Sequence, residues 1–368
     1  MISIHQFHYR ASAGEAVTQH MLFIREALAE AGIGGKIFSV QRKNLPQGKV
    51  QAWSPDSAWD CDLLLIHHSQ YNPNLKELLS IEVPKAVIYH SQPPASLFSY
   101  DPEVKKNLEI GKKQLGLLKR KGLVALGVSQ FAVAELARLG FKNTGVIPLM
   151  HLESQPAVMG SVEKNEPKHL LFVGKLAPHK KQSLLVETFY HLRKELPPQS
   201  QLHLVGTGDP LYTKYLRLLI KQLGLSQSVI LTGKLTDSNL SEYYALADAF
   251  ICMSEYEGFC IPVVEAMRAQ VPVFYRSLTG IKETMGGAGV ELLTNDPIQN
   301  ALILKQFLNS PTTLKAVLAR QQMRLKSLSS FQNRKTVQEQ ILKLCSRKPV
   351  FTLPASPNKN SYDASLTF

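Results

Sequence analysis

Short apolar runs alternate along the chain with segments whose apolar residues recur every three or four positions. Residues 2–7 form the first such run, and residues 15–31 then carry Val17, Met21 and Ile24 at helical spacing. Strands that alternate with helices indicate βαβ units and parallel sheets. Further strands are predicted at residues 36–40, 63–67, 86–90, 124–129, 145–149, 169–173, 201–205, 229–232, 249–253, 271–275 and 289–292.

Twelve strands are too many for one ordinary sheet, so two sheets of six are expected. We predict an α/β protein made of two facing Rossmann-like domains. Its active site should lie in the cleft between them, because ligands of open α/β sheets bind beyond the carboxyl ends of the strands. The predicted divisions are an N-terminal domain (1–150), a linker without periodicity (151–168), a C-terminal domain (169–325), a basic helix that can pack back on the first domain (326–348) and a mobile tail (349–368).

Composition narrows the class of protein. The 368 residues are 44% hydrophobic and 19% charged, which is ordinary for a globular protein and excludes wholesale disorder. No apolar run is long enough to span a bilayer, and the start of the chain lacks the features of a signal peptide. The four cysteines form no Cys-x-x-Cys pair, so we expect free thiols, no metal ligands and a cytoplasmic protein.

The chain carries a formal net charge of +13, which predicts attraction to anions. The charge is concentrated in residues 105–121 and 315–348. Such segments can be solvated helix faces, or they can contact an anionic membrane surface on the inner face of the membrane. No RNA-binding signature with interleaved aromatic residues accompanies them, so nucleic acid is not expected as a partner.

Residues 254–267 are the most informative stretch for chemistry. Gly258 lets backbone approach a ligand closely, and Pro262 suits the first turn of a helix whose N-terminus can bind phosphate. Glu257 lies on the loop before that helix, and Glu265 is expected in its first turn. Two carboxylates beside an anion site suit the hydroxyl groups of a sugar. A hydrolase with paired carboxylates is the competing interpretation.

Two lysines follow the first strand of the second half. Lys175 and Lys180 flank a short turn at the carboxyl end of the strand at residues 169–173. Two ammonium groups there could neutralise a diphosphate, although lone lysines are commonly solvated surface residues.

Together these segments resemble the retaining glycosyltransferases of family 4, also called group 1. Residues 257–265 resemble the E-x7-E motif of that family, and residues 173–180 its V-G-[RK]-x4-K element. The likeness covers nearly all of residues 169–295. Four further segments match in the same order, namely 204–208, 231–235, 244–249 and 280–284.

The resemblance implies a role for each matching residue. Glu265 would hold the ribose hydroxyls of the nucleotide, Glu257 would contact the donor sugar, and Lys175 and Lys180 would stabilise the leaving diphosphate. Leu235 would meet the base through its backbone. The remaining residues assigned to the donor are Gly14, Gly174, Gly233, Gly258, Phe259, Cys260, Ile261 and Val264.

The first half of the chain is more divergent. Residues 89–94, 97–102 and 13–18 resemble tracts of the bacterial polysaccharide and lipopolysaccharide members of the family, several of which use GDP-mannose. His90 would touch the donor sugar. Two residues depart from the family pattern: Lys175 stands where arginine is commoner, and Cys260 replaces a frequent glycine.

The resemblance implies the GT-B architecture and retaining transfer of a hexose from a nucleotide-diphosphate sugar. Mannose is the favoured sugar, and the acceptor is a glycan or a lipid-linked saccharide. No cofactor and no metal are expected, because lysines and a helix N-terminus supply positive charge. The alternatives are a sugar-nucleotide epimerase or hydrolase on the same fold, or a non-catalytic protein that binds polyanions. Residues 60–62 spell the D-x-D of metal-dependent transferases but precede a strand, so we interpret them as a turn.

Overall fold

The computed structural model describes residues 2–346 except Asp56, Ala58, His151 and residues 153–166. Nearly all of the predicted linker (151–168) and all of the predicted tail (349–368) therefore lie outside the described residues.

The first half of the chain forms a parallel α/β sheet. Its strands run in the order β5-β3-β1-β6-β7-β8-β9, so the chain builds outward from β1 in both directions. The strands are β1 (Ile4–Phe7), β3 (Ile37–Ser39), β5 (Gln51–Ala52), β6 (Leu63–His68), β7 (Lys85–Tyr89), β8 (Val124–Gly127) and β9 (Thr144–Val146). The helices are α1 (Ala16–Glu30), α2 (Leu75–Ser80), α3 (Pro102–Arg120) and α4 (Gln130–Arg138).

The prediction of six strands in this sheet was wrong by one. The pattern missed β5, and it also missed a separate two-stranded sheet of β2 (Arg10–Ser12) and β4 (Gln41–Lys43). Strands of two or three residues are too short to show an alternation of apolar and polar positions. All three residues of β4 are solvent-exposed and only Ala11 of β2 is buried, so burial supplies little signal either.

The second half forms a six-stranded parallel sheet, as predicted, in the order β12-β11-β10-β13-β14-β15. Its strands are β10 (His169–Val173), β11 (Gln201–Val205), β12 (Val229–Gly233), β13 (Ala249–Cys252), β14 (Val273–Tyr275) and β15 (Val290–Glu291). The helices are α5 (Gln182–Leu192), α6 (Pro210–Gln222), α7 (Asp237–Leu246), α8 (Ile261–Arg268), α9 (Thr279–Met285), α10 (Pro297–Leu308) and α11 (Pro311–Ser329).

Helix α12 (Arg334–Ser346), the last in the described residues, returns to the first half of the chain and packs against α1. Arg334 pairs with Glu26 and Glu30 on α1. Just before α12, the buried Gln332 side chain accepts hydrogen bonds from the backbone N–H groups of Leu149 and Met150. Residues 326–348 are therefore not one helix, because the chain turns at residues 330–333 between α11 and α12.

No helix in the part of the chain that the structure describes is both long enough and apolar enough to cross a membrane.

Candidate functional site

A cleft of about 250 Å³ lies between the two halves. One wall consists of residues that follow β6, β7 and β8, and the other of residues at the end of β10 and after β13. The carboxyl ends of both sheets therefore face the cleft, which is where open α/β sheets bind ligands. The predicted site residues that line it are His90, Gly174, Lys180, Glu257, Gly258, Phe259, Cys260 and Ile261.

Helix α8 begins at this cleft. Cys260 precedes it with a φ of 72°, in the left-handed region that favours glycine, and Pro262 occupies its first turn. A glycine at position 260, as the family pattern has, would adopt this conformation without strain. Glu265 is not in the first turn, as the sequence predicted, but in the second. No side chain caps the start of α8 and no carboxylate lies in its first turn, so this helix N-terminus faces the cleft uncapped, although Pro262 has no N–H group and Val263 donates its own to the carbonyl of Cys260 at 3.3 Å.

The loop before α8 is held from behind by α9. The N–H group of Glu257 donates a hydrogen bond to the Thr279 hydroxyl at 2.9 Å, and the Gly280 N–H donates to the Glu257 carbonyl at 2.9 Å. Thr284 donates to the carbonyl of Phe259. The motif at residues 280–284 thus positions the loop that carries Glu257.

Lys180 and Glu257 form an ion pair inside the cleft. The ammonium of Lys180 donates to Oε1 of Glu257 at 2.6 Å, and both side chains are less than one-fifth exposed. Burial disfavours the charged form of Lys180, but the Glu257 carboxylate and the neighbouring Cys260 and Cys252 together outweigh that effect, and the pKa of Lys180 is raised. Lys180 is therefore protonated, and its charge is shared between Glu257 and any anion that enters the cleft.

Lys175 does not line the cleft and is solvent-exposed. Its charge nevertheless acts on Glu15, at the start of α1 in the opposite half. Burial raises the pKa of Glu15, and the nearby Arg10, Lys175 and Lys234 oppose this increase. Lys234 also donates a hydrogen bond to the carbonyl of Ala13 at 2.9 Å. This contact joins the two halves beside Gly14, whose φ of 80° suits a glycine.

Glu265 is not among the residues that line the cleft. Its Oε2 accepts a hydrogen bond from the Tyr244 hydroxyl at 2.7 Å. Burial raises the pKa of Glu265, and the bond from Tyr244 works in the opposite direction. The neighbouring Val264 is fully buried in the core, so its side chain is not presented to a ligand.

The remaining predicted donor residues lie at the carboxyl ends of β10 and β12. A Cβ atom on Gly206 would come within 2.0 Å of the Gly174 carbonyl oxygen, so these two backbone segments touch. The Gly206 N–H also donates to the carbonyl of Gly233 at 2.9 Å. Leu235 follows β12 and is half-buried against the core.

The two halves also touch directly around Gly258. Its carbonyl accepts a hydrogen bond from Ser129, and a Cβ atom on Gly258 would lie 3.1 Å from the His90 carbonyl oxygen. The Glu283 carboxylate of α9 accepts from the first two N–H groups of α4, those of Gln130 and Phe131, each at 2.8 Å. The second half therefore caps a helix of the first. Sequence reasoning missed Glu283 as a contact, because nothing local distinguishes it from a solvated glutamate.

Two groups of side chains in the described residues have the composition of metal ligands. One consists of His20, His67 and His90, and the other of Cys252, Glu257 and Cys260. In the second group the two sulfur atoms are 3.9 Å apart. Sequence spacing missed the first group because its members come from α1, β6 and the residue after β7, and it missed the second because the loop between β13 and α8 folds Cys260 back beside Cys252.

Comparison with known proteins finds a protein family that the second half of the chain resembles. Residues 156–321 match the family model described as glycosyl transferases group 1. This half of the chain is therefore similar to the glycosyl transferases group 1 family. The match covers the Lys180 segment, the loop of Glu257, Glu265 and the segment at residues 280–284, as the resemblance implied.

Individual relatives are more distant. Mannosylfructose-phosphate synthase of Agrobacterium fabrum is 34% identical over 113 residues, which are 29% of this chain and 25% of that protein. O-antigen chain mannosyltransferase B of Escherichia coli is 30% identical over 132 residues, covering 35% and 33% of the two chains. The chain thus spans a quarter to a third of the length of these relatives.

The fold is similar over almost the whole chain. The crystal structure of Anabaena HepE in complex with UDP and glucose superposes with a TM-score of 0.70 at 17% identity, covering 95% of this chain and all of HepE. The two halves of the chain together therefore form the two-domain GT-B fold that was predicted.

Proposed function

We propose that this protein is a retaining glycosyltransferase that moves a hexose from a nucleotide-diphosphate sugar to a glycan or lipid-linked acceptor. The observation that carries the proposal is the buried Lys180–Glu257 pair beside the free N-terminus of α8. The N-terminus of α1 lines the same cleft through Ala16 and Val17. Two helix N-termini and a buried ammonium form an electropositive site for a diphosphate.

The leaving diphosphate needs no metal ion in this mechanism. Lys180 would neutralise charge as the bond between the sugar and the diphosphate breaks, and Lys175 would add to the field from the rim. Glu257 is the one acidic side chain among the described residues that line the cleft, and it is tied to Lys180. An acceptor hydroxyl could attack the anomeric carbon from the same face that the diphosphate leaves, with the diphosphate assisting. Such an attack would retain the anomeric configuration without a free carboxylate nucleophile.

The relatives favour a mannosyl donor, while the solved neighbour binds UDP and glucose. We favour GDP-mannose on the strength of the curated relatives. The sugar-nucleotide epimerase or hydrolase remains the alternative on this fold, and it would yield an epimer or free sugar instead of a glycoside.

We expect one nucleotide class to raise the melting temperature of the protein in a panel of GDP, UDP, ADP and their sugar conjugates, equally with and without EDTA.

In Glu265→Gln the donor KM should rise at least about tenfold, because a buried carboxylate that accepts from Tyr244 would lose its charge-assisted bonds to hydroxyl groups. Glu242→Gln, which removes an exposed carboxylate of α7, is the matched control.

A shift that EDTA abolishes would contradict metal-independent donor binding. Equal donor KM values in Glu265→Gln and Glu242→Gln would remove Glu265 from the donor site. No shift with any nucleotide would favour the polyanion-binding alternative.

Helix α3 supports a second part of the proposal, reversible attachment to an anionic membrane surface near a lipid-linked acceptor. Its apolar face packs inward through Leu108, Leu115 and Leu118. The basic residues in and just after this helix are all exposed, namely Lys105, Lys106, Lys112, Lys113, Lys119, Arg120 and Lys121. The second basic segment is partly used inside the fold, since Arg324 donates to backbone carbonyls of α9 and Arg334 pairs with α1.

We expect the protein to sediment with phosphatidylserine-containing vesicles at low salt and to be released at high salt. Lys112→Glu/Lys113→Glu should weaken vesicle binding by at least about tenfold, since each basic residue near an anionic surface contributes roughly 1 kcal/mol. Lys315→Glu/Lys326→Glu makes the same change of charge at exposed positions of α11 and should bind nearly as well as the parent. Equal losses in both pairs would show that only net charge matters, and no sedimentation at low salt would remove the membrane proposal.

A further inference from the structure

Three histidines from separate elements meet under the wall of the cleft in the first half of the chain. His20 lies on α1, His67 on β6, and His90 directly after β7. One ring nitrogen of each lies within 4.8 Å of the others. His20 and His67 are buried, whereas His90 reaches the cleft. We call these residues the histidine trio.

Hydrogen bonds determine which ring nitrogens carry protons. Nε2 of His20 lies 2.8 Å from the carbonyl oxygen of Pro148, which can only accept, so this nitrogen carries the proton. Nδ1 of His20 is then left with a lone pair. That nitrogen is buried and has no hydrogen-bond partner in the described structure. A bare acceptor in a dry site is costly unless something binds it.

The same argument applies to His67. The Gln6 amide nitrogen donates to the carbonyl of Met21 at 3.0 Å, which turns its Oε1 toward Nε2 of His67 at 3.0 Å. Nε2 of His67 therefore carries the proton, and Nδ1 holds the lone pair. Nδ1 faces Nε2 of His90 at 2.9 Å, and His90 donates in that contact.

The trio therefore has the arrangement of a metal site. Histidine ligands in proteins usually donate their second ring N–H to a carbonyl or carboxylate, which orients the ring. Pro148 and Gln6 already do this for His20 and His67. His20 and His67 are both buried, and each uses one ring nitrogen to donate a hydrogen bond while the other keeps a lone pair for an ion. His90 needs only its other tautomer, with the proton on Nδ1, to offer Nε2.

We propose that the histidine trio binds one Zn²⁺ ion, or a similar borderline divalent cation, with water in the fourth position. Three neutral imidazoles with one open position form a set that suits zinc. Such nitrogen ligands do not suit the Mg²⁺ that commonly accompanies diphosphates, which prefers oxygen. The site is thus separate from the metal-independent handling of the donor.

Metal binding would have a consequence for the cleft. His90 would exchange its bond to His67 for a bond to the ion, and its ring would be held at the cleft wall. If the proposed glycosyl transfer is correct, Zn²⁺ should inhibit it reversibly, with EDTA restoring the rate. This consequence rests on the proposed function, whereas metal binding itself can be measured without any turnover.

The test is titration of the metal-free full chain with Co²⁺ and Zn²⁺. We expect one ion per chain, and a visible Co²⁺ spectrum of tetrahedral type without the thiolate charge-transfer band that cysteine ligands produce. His20→Gln and His67→Gln should each weaken Zn²⁺ binding by at least about tenfold. His203→Asn removes another buried histidine that contacts a histidine, His169, at 3.1 Å, and should bind Zn²⁺ as the parent does.

Each contrary outcome is decisive. A thiolate band, or loss of binding in Cys252→Ser/Cys260→Ser alone, would assign the ion to the cysteine pair and overturn the proposal. Absence of stoichiometric binding to the parent would also overturn it. The spectrum of the parent needs no variant, so misfolding of a histidine variant cannot hide the answer. Inhibition by Zn²⁺ that persists in His20→Gln would refute the link to His90 while leaving the binding result standing.

Discussion

Lys180→Met is expected to lower the rate of glycosyl transfer by at least about 100-fold, mainly in kcat. The buried ammonium of Lys180 lies 2.6 Å from Glu257, in the cleft that the two helix N-termini face. A preorganised charge of this kind stabilises the charge that develops on a leaving diphosphate more than it stabilises the ground state. Initial rates at saturating donor measure the effect. Methionine keeps the apolar stem, so packing changes little.

Two controls separate catalysis from structure. Lys181→Met removes the neighbouring charge, which pairs with Glu255 at the protein surface, and should retain most of the activity. The double variant Lys180→Met/Glu257→Gln removes both members of the buried pair. If its rate returned toward that of the parent, the loss in the single variant would come from an unpaired buried carboxylate and not from the missing positive charge.

Gly280→Ala is expected to destabilise the second domain by about 3 kcal/mol or more and to lower the melting temperature by roughly 5–10 °C. A Cβ atom at this position would lie 2.1 Å from the carbonyl oxygen of Gly258 and 2.5 Å from its carbonyl carbon. These are backbone atoms, so the loop that carries Glu257 must move. Activity should fall together with stability, because that loop forms one wall of the cleft.

The matched control is Gly116→Ala on α3. A Cβ atom there would meet only the end of the Arg120 side chain, at 3.8 Å. Replacing a glycine inside a helix by alanine should stabilise the protein by about 0.5–1 kcal/mol. Thermal unfolding of both variants measures the contrast. A melting temperature for Gly280→Ala equal to that of the parent would mean that the close packing of α9 on the loop is wrong.

The sequence was sufficient for the fold because the long strands carry strong patterns. The segments at 169–173 and 201–205 were placed to the residue, since each holds at least three apolar residues and ends directly before a glycine. Lys180 and Glu257 could be assigned to one cleft because both follow parallel strands, whose carboxyl ends meet at one edge. Their direct pairing could not be predicted, because it depends on side-chain reach across two neighbouring strands.

Contacts between the halves were beyond the sequence for a similar reason. Glu283 caps α4 from 152 residues away, and no local pattern marks a carboxylate that serves another helix. The histidine trio depends on the order β1-β6-β7 and on the side of α1 that faces the sheet. From the sequence, His20 cannot be distinguished from an ordinary buried residue of a helix. Only the position of Pro148 shows which of its nitrogens is bare.

The packing of α12 on α1 has a consequence for co-translational folding. The first domain is translated first, yet the helix that covers α1 and the glutamine that binds the backbone after β9 come from residues 332–346. Domains generally fold in order of synthesis, but here the first domain lacks α12 and Gln332 until nearly the whole chain has been synthesised. The first domain should stay accessible to proteases and chaperones until α12 has been synthesised. A chain that terminates near residue 330 would therefore have a destabilised first domain, although the truncation lies after the second.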